Sequence, residues 1–133
     1  MFYTNEHFKP TSNDKNLKTV KTNPSYLLYN QYYFQTMASI RIEKARVNND
    51  VIVDLDRLNL KELSHDLFEN TPQLTGVYLE NNQLTSIPEN LFANTPQLSV
   101  VYLNYNQLTS IPENLFANTP HIVTGKQIGR AHV

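Results

Sequence analysis

Six side chains have types and spacing suited to joint work: Asp54, Asp56, Tyr78, Glu80, Tyr102 and Asn104. They fall in two series stepped by 24 residues, Asp54–Tyr78–Tyr102 and Asp56–Glu80–Asn104. Within each pair the two members are two residues apart, so on a strand they share one face. Three carboxylates on such a face favour a basic partner and speed its approach. Tyrosine adds a large rigid ring with a polar tip, a good interface residue. The same carboxylates could be read as calcium ligands, but calcium takes about six to eight oxygens held in a loop. Three acids on a flat sheet supply too few, so no metal is expected.

Catalysis finds no comparable constellation. His7, His65, His121 and His132 are scattered without metal-ligand spacing. The chain has no Cys, which excludes a thiol nucleophile, Cys-based zinc sites and disulfide caps. No G-x-S-x-G motif occurs, and three glycines in all rule out a glycine-rich phosphate loop. No catalytic residue, cofactor or enzymatic activity is expected.

The elements that must position the six residues are repeats. Gln83–Pro96 reads QLTSIPENLFANTP, and Gln107–Pro120 repeats those fourteen residues at an offset of 24. One step earlier, Val53, Leu55, Leu60, Leu63, Leu67, Phe68, Asn70, Thr71 and Pro72 form a weaker copy. The pattern L-x-x-V-x-L-x-x-N-x-L runs through Leu74, Val77, Leu79, Asn82 and Leu84, then Leu98, Val101, Leu103, Asn106 and Leu108. Val77 and Leu79 point to one side of a strand; Tyr78 and Glu80 point to the other. A lone strand cannot bury its inner side, so successive strands must stack at about 4.8 Å.

Residues 50–122 therefore resemble the typical 24-residue class of leucine-rich repeats. The resemblance implies an α/β solenoid with a short parallel sheet on its concave face and irregular or short helical convex segments. It also implies that Asn82 and Asn106 hydrogen-bond the backbone of the turn and of the neighbouring coil. Leu58 stands at the equivalent place in the first copy, so this ladder should begin only at Asn82. Proteins with this fold usually bind ligands on the concave face, which here would comprise Ile52, Asp54 and Asp56, then Gly76, Tyr78 and Glu80, then Val100, Tyr102 and Asn104. Ile87-Pro88 and Ile111-Pro112 open the return path, because Pro lacks the N–H that a central strand needs. Phe68, Phe92 and Phe116 should stack as an aromatic column on the convex side.

The flanks are less regular. Residues 1–38 form a basic, Tyr-rich arm, with 1–23 polar enough to read as disordered. Asn23-Pro24 can cap and start a helix, although the tyrosines at 26, 29, 32 and 33 suit a strand as well. Residues 39–49 are expected to form a capping strand and turn: Ile40 and Ile42 alternate with Arg41 and Glu43, and Asn48-Asn49-Asp50 signals a turn into 51–56. Such a strand would cover an otherwise open sheet edge. At the other end Ile122 still fits the repeat, but Gly125 and Gln127 occupy core positions, leaving residues 123–133 as a non-repeat tail. Ile128–Val133 resembles the translation of a widely used sequencing adapter (ATC GGA AGA GCA CAC GTC, then TGA). The expectation is that the natural frame was cut near Gln127, that the tail is an artefact, and that an open edge there could self-associate.

Charge is asymmetric. Residues 1–49 carry seven Lys/Arg against three Asp/Glu, whereas residues 50–122 carry two against nine. The arm could touch phosphates and stack on bases, but its excess is diffuse and reads as a solvated leader, so no nucleic acid is expected. No apolar run is long enough for a membrane span, and Met1–Asn13 lacks the apolar core of a secretory signal. By default that reads as cytoplasmic, with a secreted or surface parent open if the start is incomplete. The expected function is an interaction module for a protein or peptide, with a basic partner favoured. The alternatives are a spacer or scaffold segment of a longer surface or effector protein, and a truncated fragment with no function of its own.

Overall fold

The computed structural model describes residues 24–122, without the side chains of 26–31. The 1–23 arm and the 123–133 tail lie outside the described residues. One helix is followed by three short strands: α1 (Pro24–Asn48), β1 (Ile52–Asp54), β2 (Gly76–Tyr78) and β3 (Val100–Tyr102). The strands form one parallel sheet in the order β1-β2-β3. Its register advances by one repeat per strand: Val53 pairs with Val77 and Val77 with Val101.

Alternation decides which side chains enter the core. Val53, Leu55, Val77, Leu79, Val101 and Leu103 are buried beneath the sheet. Leu60, Leu63, Leu84, Ile87, Leu91, Leu108 and Leu115 close the core from the return path. Each such side chain contributes roughly 1.5–3 kcal/mol on burial. The return segments are chained turns, bonded from Leu91 N–H to the Pro88 carbonyl and from Ala93 N–H to the Asn90 carbonyl. The same bonds recur 24 residues later, at Leu115–Pro112 and Ala117–Asn114. Phe68 stacks on Phe92 at 5.8 Å between ring centroids, and Phe92 on Phe116 at 5.9 Å, forming the expected column. Buried Thr71, Thr95 and Thr119 each turn a hydroxyl back onto the carbonyl of the Phe three residues earlier.

The asparagine ladder is present and starts where the sequence places it. Asn82 Oδ1 accepts from the N–H groups of Leu58 (3.0 Å) and Leu60 (2.9 Å). Its Nδ2 donates to the carbonyls of Leu55, Leu79 and Glu80. Asn106 repeats the arrangement with Leu84 N–H and the carbonyls of Leu79, Leu103 and Asn104.

The capping strand expected over residues 39–46 is corrected to helix: α1 continues to Asn48. Strand alternation would put Ile40 and Ile42 on one side, yet Ile42 is 9% exposed and Ile40 53%. Ala38, Ile42 and Ala45 follow helical spacing and pack into the core, the two alanines allowing close approach to β1. The Asn48-Asn49-Asp50 turn is the helix's C-terminal cap. Asn49 takes the left-handed conformation at φ 56°, and Asp50 N–H bonds the Ala45 carbonyl at 2.9 Å. Gln73 Nε2 ties the same cap down through the carbonyls of Ala45 and Asp50.

The edge of β1 is still covered, by a helix instead of a strand. Strand carbonyls alternate in direction, and the Val51 carbonyl faces β2, where it accepts from Gly76 N–H. The Asp54 carbonyl therefore faces away from β2, and Arg41 Nη1 on α1 donates to it at 3.0 Å.

Candidate functional site

The outward face of the sheet collects all six expected residues. Register aligns Asp54, Tyr78 and Tyr102 across the three strands. The Tyr78 and Tyr102 rings lie 4.9 Å apart between centroids and are tilted by 39°. Beyond the strand ends the backbone ladder continues, with Leu55 N–H on the Tyr78 carbonyl and Leu79 N–H on the Tyr102 carbonyl. Arg57 and Asn81 N–H groups likewise reach the Glu80 and Asn104 carbonyls. Asp56, Glu80 and Asn104 thus form a second row beside the tyrosines.

The three carboxylates are not equivalent. Asp54 is exposed, and its Oδ1 accepts from Asp56 N–H at 2.9 Å. Asp56 is engaged within the chain: Oδ1 accepts from Asn81 Nδ2 (3.0 Å) and Oδ2 from Arg57 Nη1 (2.7 Å). Glu80 keeps its Oε1 out of solvent with no hydrogen-bond partner. Desolvation lifts the Glu80 carboxyl above the ordinary carboxylate range, and repulsion from Asp56 and Asp54 adds to the lift. Among the described residues, no group of three or more His, Cys, Asp or Glu is placed to hold a metal ion.

Sequence reasoning missed Tyr105. Its side chain is 59% exposed at the end of the second row, and its backbone is left-handed at φ 60°. Arg57 (φ 55°) and Asn81 (φ 58°) share that conformation at the same place in the earlier repeats. Only Asn among these three tolerates it readily; for the others it is strained.

A signal for Tyr105 lies in the comparison of the two good repeats. Residues 73–96 and 97–120 differ only at Thr75/Ser99, Gly76/Val100, Glu80/Asn104 and Asn81/Tyr105. The first of these is conservative, since both hydroxyls donate to the carbonyl 24 residues earlier. The other three pairs lie on the outward sheet face or its rim. Exposure alone does not select them: Thr85, Ser86, Glu89, Asn90, Ala93 and Asn94 on the return path are also exposed, and all six are identical in the next repeat.

The leucine rich repeat family profile matches residues 51–108 and 72–124, together more than half of the chain. The chain belongs to the leucine-rich-repeat family. No curated protein matches it in a whole-sequence comparison. Leucine-rich-repeat domains generally serve as protein-interaction modules and are typically non-enzymatic. Among the described residues of this leucine-rich-repeat chain, no helix is long and apolar enough to cross a membrane. Two surface grooves, of about 360 and 540 Å³, lie between α1 and the return path and not on the sheet face.

Proposed function

We propose that the chain is an interaction module that binds a protein or extended peptide, preferably a basic one, on the outward face of its sheet. In this reading the 24-residue units stack as a solenoid and the sheet lines its concave side. Tyr78 and Tyr102 are the central anchors. Asp54 and Glu80 supply attraction for cations, and Asn104 and Tyr105 extend the contact. Asp56 positions Arg57 and Asn81 and contributes less directly.

The observation that carries the reading is where the two repeats diverge. Core, ladder and exposed return-path residues are identical, whereas Gly76/Val100, Glu80/Asn104 and Asn81/Tyr105 differ. Drift at solvent-exposed positions would have altered the return path as readily as the sheet face. Paired tyrosines at the centre of the same face fit the enrichment of aromatic residues at interface hot spots.

The test starts from peptides selected for binding to the intact chain from a random display library. The selected set should be rich in Lys and Arg. The double change Tyr78→Ala with Tyr102→Ala should abolish their binding while leaving the circular dichroism spectrum unchanged. Glu89→Ala with Asn90→Ala on the return path should leave binding intact. Binding that survives the tyrosine change, or is lost in the return-path variant, refutes the face assignment.

A further inference from the structure

We propose that the basic segment 1–23 of this same chain docks on the acidic sheet face and competes with outside partners for it. The proposal rests on the face being a binding surface and adds an intramolecular occupant. Residues 50–122 hold two Lys/Arg against nine Asp/Glu; on the sheet face Asp54, Asp56 and Glu80 outweigh Arg57, which pairs with Asp56, and Asp54 is the most exposed of the three. The segment preceding α1 carries Lys9, Lys15, Lys18 and Lys21 against Glu6 and Asp14. Opposite charge therefore sits on the two parts, joined by one helix.

The course of α1 brings the segment to the correct side. Near its C-terminus the Ala45 carbonyl meets Gln73, just below the start of β1. Arg41 then reaches the Asp54 carbonyl at the end of β1, and Gln35 Nε2 reaches the Glu62 carbonyl beyond it. The helix thus runs antiparallel to β1, and its N-terminal half extends past the ends of the strands. Asp56 and Glu80 lie on that side. From Gln35 to Pro24 the helix rises about 16 Å. The 23 residues before it have a contour length of up to about 76 Å, enough to return to the second row. Tethering at this range gives an effective concentration on the order of millimolar, so a weak ionic contact suffices. Arg41 already shows a helix-borne cation seated at the β1 edge.

The absence of cysteine makes a single-site label unambiguous. A spin label on Ser12→Cys in the full chain should broaden the amide resonances of Asp56, Glu80, Tyr102 and Asn104 well beyond those of the return path at 111–118. The broadening should vanish at about 0.5 M salt, where screening acts over only a few ångströms. It should also vanish when Lys9, Lys15, Lys18 and Lys21 are all changed to Ser, and that variant should bind the selected basic peptides several-fold more tightly. Broadening that is absent, spread evenly over the molecule or unchanged by the lysine replacements overturns the proposal. So does broadening that arises between a labelled chain and an unlabelled isotope-enriched one, because the occupant is then a second copy. Failure in these ways leaves the tyrosine-dependent binding test intact, so the two readings fail separately.

Discussion

Replacing Asn82 by Ala removes five hydrogen bonds at once: two accepted from Leu58 and Leu60 N–H and three donated to the Leu55, Leu79 and Glu80 carbonyls. The amide is 7% exposed, so water does not simply take its place. The Leu58 and Leu60 N–H groups are the critical loss, because no other acceptor replaces Oδ1. At about 1–3 kcal/mol for each buried group left unsatisfied, and with some relief as the turn relaxes, the expected destabilisation is about 3–5 kcal/mol. Asn106→Ala orphans one N–H, that of Leu84, and the side chain is only half-buried. Its cost should be nearer 1–3 kcal/mol by the same principle. Urea unfolding of the intact chain, followed by circular dichroism and by tyrosine fluorescence, measures both. Coincident transitions would license the comparison. If Asn82→Ala lies within about 1 kcal/mol of the parent, or costs no more than Asn106→Ala, the ladder's energetic role is wrong and strand packing alone sets the stability.

Three further outcomes follow from the geometry. Phe92→Ala should cost about 3–5 kcal/mol, because the ring is fully buried and stacked on both neighbours; Phe92→Leu should restore more than half of that in the same denaturation assay. Tyr105→Asn should stabilise the chain by about 0.5–1 kcal/mol, since Asn tolerates the left-handed backbone better than Tyr, while weakening capture of the selected peptides; unchanged stability would count against strain at φ 60°. Glu80→Gln should be more stable than the parent at neutral pH. The Glu80 carboxyl titrates above its unfolded value through desolvation and then repulsion by Asp56 and Asp54. The parent therefore loses stability as pH rises from the unfolded value through the folded one, and the advantage of Gln should shrink toward pH 4. A difference that is flat from pH 4 to 7 would remove that electrostatic account.

Features set by a repeated pattern were legible before the structure. Val77 and Leu79 recur with Val101 and Leu103, so strand face, register and the two columns of outward residues followed from a period of 24 and a period of two. The helix over 39–48 was not legible, for a physical reason. Tyr33, Ile40 and Val47 stand exposed on one side of α1, while Ala38, Ile42 and Ala45 enter the core on the other. With apolar residues on both sides no helical stripe emerges, and the local Ile-Arg-Ile-Glu alternation mimics a strand. The left-handed turns at Arg57 and Tyr105 were also hidden, because neither residue type announces that conformation. Here a ladder asparagine overrides local preference: Asn106 follows Tyr105, and beside Arg57 the Leu58 N–H donates to Asn82 of the next repeat.

That override bears on how the face could acquire new specificity. Asn82 and Asn106 hold the turn by their own amides, so the residue just before each is held left-handed whatever its type, at a cost of order 1 kcal/mol. Asn81 and Tyr105 are two different side chains on that backbone, at φ 58° and 60°, and Arg57 takes φ 55° before Leu58, whose N–H donates to Asn82 of the next repeat. The row before them holds Asp56, Glu80 and Asn104 on an equally repeated backbone. Binding residues can therefore change from repeat to repeat without moving the scaffold, provided the asparagine, the phenylalanine column and the threonine hydroxyls stay. An exchange tests this separation: Tyr105→Asn with Asn81→Tyr should transfer the aromatic to the second repeat. Stability should stay within about 1 kcal/mol of the parent, because one strained tyrosine replaces another. The footprint of a selected peptide, read by amide shift changes, should move with the tyrosine from β3 toward β2. A footprint that stays on β3 would mean that the exposed ring at 105 takes no part in recognition.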